Sequence, residues 1–219
     1  MRFLKLISVV ALSAWLVPST VAAQRNDHAK QTVATAGHSG AAADLKLAMR
    51  KLWTDHTVWT RDYILAAVDD KPDAMAAANR LMKNQDDIGK AIAGYYGAAA
   101  GQQLTTLLKE HISIAVDLIK AAKAGNKTAQ QQADDRWQKN AVDIATLLSK
   151  ANPNWPKDTL VDMMKKHLST TTSEVVARLT HDYDADVRAY DAVYDHILMM
   201  SDALADGIVK QFPEKFRAS

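Results

Sequence analysis

Two apolar residues, two polar residues and a histidine follow one another three times in this chain: Leu52-Trp53-Thr54-Asp55-His56, Leu107-Leu108-Lys109-Glu110-His111 and Met163-Met164-Lys165-Lys166-His167. The histidines stand 55 and 56 residues apart, counting from 56 to 111 and from 111 to 167. A repeat of that length is one supersecondary unit used three times, and a helical hairpin is the simplest unit that fits. A second signature lies downstream in each copy. It reads Arg80-x3-Asn84-x2-Asp87, then Arg136-x3-Asn140-x2-Asp143, then Arg188 with Asp195, where Ala192 takes the asparagine place. Residues i, i+4 and i+7 share a helical stripe, so each copy presents these side chains along one face.

Helical spacing runs through the rest of the chain. Leu45, Met49, Leu52, His56, Trp59 and Tyr63 follow a 4-3-4-3-4 seam that buries His56. Breakers divide the pattern at Asp69-Asp70-Lys71-Pro72, at Gly97, at Gly125-Asn126 and at Asn152-Pro153-Asn154-Trp155-Pro156. No Gly or Pro separates Leu179 from Val187. A single helix over 157–211 would be roughly 80 Å long, about twice the width of a compact domain of this size, so a bend is placed near His181-Asp182. The expected fold is all-α, a bundle of about six helices arranged as three repeated antiparallel helical hairpins (44–97, 98–152 and 156–212) in one domain over 44–212.

Residues 24–43 lack apolar periodicity and read as a flexible N-terminal tether. Ahead of them, Arg2 and Lys5, the apolar run Leu6–Val17 and the small residues Val21-Ala22-Ala23 have the order of a secretory signal peptide over 1–23. The run is too short for a membrane anchor. Export to a periplasm, or secretion, is therefore expected. Loss of that leader removes two of the 27 basic residues and none of the 25 acidic ones, which leaves the mature chain neutral. A nucleic-acid footprint would need a basic face, and no second apolar run approaches membrane-spanning length. Cysteine is absent, which excludes thiolate metal sites, Cys nucleophiles and disulfide staples.

The histidines carry the functional question. His56 and Asp87 each lie about 14 residues from the first turn, roughly 20 Å along the hairpin, so they should face each other; His111 and Asp143 should do the same. One reading is structural: a non-catalytic cell-envelope or protein-interaction module whose His–Asp layers only fix packing. The other has the layers meet on the bundle axis, where His56, His111 and His167 form a metal site for Zn, Cu or Fe, with Asp87 and Asp143 behind them and Glu174 as an added ligand. Met163, Met164 and His167 opposite His196, Met199 and Met200 form a second arrangement, suited to Cu(I). A small-ligand cavity would be lined by Trp53, Trp59, Tyr63, Asn84 and Asn140. Arg61 and Asp62 read as a solvated pair. The chain has no Gly-x-Ser-x-Gly, no His-Glu-x-x-His and no phosphate-cradling loop, so no enzyme class is indicated and the partner expected is a metal ion or small molecule.

Overall fold

The computed structural model describes the backbone of residues 27–217 and the side chains of 40–217; the expected signal peptide lies outside these. Six α-helices account for nearly all of it: α1 Asp27–Val68, α2 Ala74–Tyr96, α3 Ala98–Lys123, α4 Lys127–Ala151, α5 Lys157–Leu179 and α6 Tyr183–Gln211, followed by a short 3₁₀ turn, Pro213–Phe216. Strands are absent among the described residues. Helical backbone thus begins upstream of the apolar seam and takes in most of the stretch read as a tether.

The breaks fall where the sequence places them, for identifiable backbone reasons. After α1, α3 and α5 the chain turns through a left-handed residue: Asp70 (φ 54°), Gly125 (φ 67°) and His181 (φ 59°). Each turn closes with a bond reaching back five residues, Lys71 N–H to Ala66 O, Asn126 N–H to Ala121 O and Asp182 N–H to Ala177 O. This is the Schellman geometry, which satisfies carbonyls that the helix end leaves free. Asn126 and Asp182 then cap the next helix by accepting from the Ala129 and Ala185 amides. The bend at His181-Asp182 thus needs neither Gly nor Pro.

Each helix packs on its neighbours in sequence, and α6 closes on α1, so the six form a ring; α1 also touches α3 and α5 across the centre. The main core contains Met49, Trp53, Ile88, Leu104, Leu108, Trp137, Ile144, Met164, Ile197 and Met200. A smaller cluster of Tyr63, Ile64, Val68, Ile119 and Val175 fills the end near the first turn. Helices α2 and α3 approach closely at Gly89 and Gly101. A Cβ on Gly101 would lie 2.6 Å from the Gly89 carbonyl oxygen. No described helix is long and apolar enough to cross a membrane.

Candidate binding site at the histidine layer

His56 on α1, His111 on α3 and His167 on α5 are buried and meet at mid-bundle. The His167 ring centroid lies 5.8 Å from that of His56 and 6.0 Å from that of His111. Trp53 packs edge-on against His56 at 5.7 Å, and Trp137 lies 5.2 Å from His111. The layer separates two small cavities of about 30 Å³ each, both bordered by all three imidazoles. Such a volume holds one or two waters or a single ion, and it is far too small for haem.

The expected His–Asp pairs do not form. Asp143 is 44 % exposed and bound to Lys139 at 2.6 Å; Asp87 is 31 % exposed and 3.7 Å from Lys83. At about 100° per residue, a step of three from Asn140 to Asp143 turns the side chain some 60° off the seam, toward the rim. Amides take the inner position instead. His111 Nδ1–H donates to Asn140 Oδ1 at 2.8 Å, and Gln85 Nε2 stands 3.4 Å from His56 Nδ1. The Asn140 amide is oriented by its Nδ2, which donates to Leu107 O and to Glu110 Oε2. His111 therefore carries its proton on Nδ1, and Nε2 keeps a free lone pair inside the core.

Both amides lie 29 residues after their histidine. The same step from His167 reaches His196, whose Nε2–H donates to Met163 O at 2.8 Å. Asn84 likewise donates to Leu52 O at 3.0 Å, and Asn140 to Leu107 O at 3.1 Å. Leu52, Leu107 and Met163 each begin one copy of the repeat, so in every copy a side chain of the following helix is pinned to that carbonyl. His196 is thus a pin rather than a ligand through Nε2. His167 Nδ1 and His111 Nε2 are left without hydrogen-bond partners, as are the indole N–H groups of Trp53 and Trp137 and the Thr171 hydroxyl.

All three imidazoles are held neutral. Burial lowers His56 to about 3, helped by the nearby His111. Burial lowers His111 to about 4. His167 is driven well below the usual range by burial and by His56, His111 and His196. Neutral imidazoles offer lone pairs, yet no three His, Asp or Glu side chains among the described residues are arranged to hold a metal ion.

Glu174 does not join the histidines. It is 1 % exposed and binds Arg61 Nη1 at 2.7 Å, and the same nitrogen reaches Asp186 Oδ1 at 2.7 Å. Arg61 is therefore no solvated partner of Asp62. It is drawn inward by two buried carboxylates from α5 and α6, with Tyr190 across its face at 4.6 Å. Burial raises the Glu174 carboxyl to about 7 against the opposing pull of Arg61. Among the expected ligand-lining residues, Trp53 borders the first cavity and Tyr63 the second. Trp59 borders neither and lies under the Arg80 guanidinium at 5.5 Å. Asn84 and Asn140 serve the pins. Gln85 and Asp186 were not anticipated, although Gln85 is legible as the polar interruption of the seam Leu81, Gln85, Ile88, Ile92. Compared with known proteins, the chain matches no family model, no curated protein and no solved structure.

Proposed function

We propose that this is an exported helical-bundle protein, made of three duplicated hairpins, that binds one metal ion or similarly small ligand at the layer of His56, His111 and His167. The carrying observation is the convergence of three neutral imidazoles beside a void of ionic size, with His111 Nε2 and His167 Nδ1 unpartnered. Buried polar atoms are ordinarily satisfied, and each orphan costs about 1–3 kcal/mol. A ligand accepting both lone pairs recovers that cost. Asn140 supports the reading as an outer partner: it fixes the His111 tautomer that turns Nε2 toward the core. Binding requires the rings to reorient, since as they stand they are not arranged around one point.

A second reading rests on the pins. Asn84, Asn140 and His196 all bind the first carbonyl of their repeat, a device that sets helix register whether or not anything is bound. Under it the protein is a cell-envelope structural or interaction module. Calorimetric titration of the tag-free protein with Zn(II) and Co(II) at pH 7 separates the two. Binding of one ion per chain, lost when His56, His111 and His167 are all replaced by Leu, supports the site. Equal heats in both proteins, or none in either, leave the layer as architecture.

A further inference from the structure

We infer, building on that site, that its ion is a soft monovalent one, Cu(I), and that methionine thioethers complete the coordination. The observation is the donor inventory of the first cavity. Apart from the three imidazoles, the only lining side chains with lone pairs are Met49, Met163, Met164 and Met200; every other lining residue is aliphatic or Trp53. No side-chain carboxylate, hydroxyl or amide borders it, so the oxygen-seeking Mg, Ca and Mn find no side-chain ligand there. Imidazole with thioether is a donor set for Cu(I).

Charge points the same way. The two buried acids among the described residues, Glu174 and Asp186, are both held by Arg61, and the lining offers no anionic ligand to offset an ion. The cost of moving an ion out of water grows with the square of its charge, so an uncompensated dication is penalised about four times as heavily as a monocation of equal size. The three histidines do not by themselves hold an ion; thioethers from α1, α5 and α6 supply what they lack. Met199, which sequence pairs with Met200, is 51 % exposed and His196 is tied to Met163 O, so the copper set is Met49, Met163, Met164 and Met200 rather than the one that the doublets suggest.

The test is competition for Cu(I) against bathocuproine disulfonate, under ascorbate and argon, using the tag-free protein, with Co(II) and Zn(II) titrated in parallel. Met164→Leu with Met200→Leu keeps the cavity volume and the fold; circular dichroism checks the latter. The inference expects one Cu(I) per chain and at least a tenfold loss of Cu(I) affinity in the double variant. Co(II) or Zn(II) binding that needs the histidines, with Cu(I) affinity unmoved by loss of the thioethers, would overturn the copper assignment and leave the histidine site standing. No uptake of any of the three ions would overturn both.

Discussion

Acidification should destabilise this bundle through its histidines. His56 is held at about 3 and His111 at about 4, against an ordinary value of 6.5. A base whose folded pKa is lowered contributes stability that is complete above the unfolded value and is lost as pH falls toward the folded one. Each of these two therefore costs about 1.4 kcal/mol per pH unit below pH 6.5, and together about 7 kcal/mol by pH 4. His167, also held well below its usual range, acts in the same direction. Glu174 opposes them. Its folded value of about 7 lies above the ordinary 4.5, so the fold gains from it as pH falls through that interval, by roughly 3 kcal/mol in all. The histidines prevail, with a net loss of at least about 1.4 kcal/mol per pH unit between pH 6.5 and 4.5, a large fraction of an ordinary domain's ~5–15 kcal/mol. Urea unfolding followed by circular dichroism at half-unit pH steps reads this slope. Glu174→Gln should steepen it by about 1.4 kcal/mol per unit, because the opposing carboxyl is gone. A stability that stays level or rises on acidification from pH 6.5 to 5 in that variant would refute the neutral-imidazole layer.

Three further outcomes follow from particular contacts. Arg61→Met leaves Glu174 buried without its cation and Asp186 with only Arg178, at 3.7 Å, and should cost about 3–5 kcal/mol at pH 8; the deficit should shrink by pH 5 as the Glu174 carboxyl, raised to about 7 by burial, protonates, as urea midpoints at the two pH values would show. Gly101→Ala drives a methyl into the Gly89 carbonyl and the Ala93 side chain, so α2 and α3 must part and thermal unfolding should report a loss of about 1–3 kcal/mol. Asn140→Leu removes the acceptor of His111 and the pin on Leu107; it should lower stability by about 1–3 kcal/mol and weaken metal binding about 10–100-fold by calorimetry.

The seam and its breakers are local signals, and they located six helices and the buried histidines. The bend at His181 was legible too, because helix length and domain size conflict without it. Partner choice was not legible. The His–Asp pairing came from matching heights along a hairpin, whereas the rotation that carries Asp87 and Asp143 to the rim depends on which helix faces which. Arg61 was misread for the same reason: Glu174 and Asp186 lie 113 and 125 residues away, and no local period announces a pair at that separation. Gln85 and Asn140 occupied seam positions in plain view, but an amide between apolar neighbours is a weaker flag than a carboxylate in a repeated motif. The four methionines of the first cavity come from three helices, so only the packed ring brings them beside the histidines.

Elemental analysis of the protein, isolated from cells without chelators or a histidine tag, tests the central claim most directly. The account predicts close to one equivalent of copper or another transition metal in the native protein, and none when His56, His111 and His167 are replaced together. A metal-free protein that also fails to take up Cu(I), Zn(II) or Co(II) when they are supplied would contradict it and leave the histidine layer as a packing device.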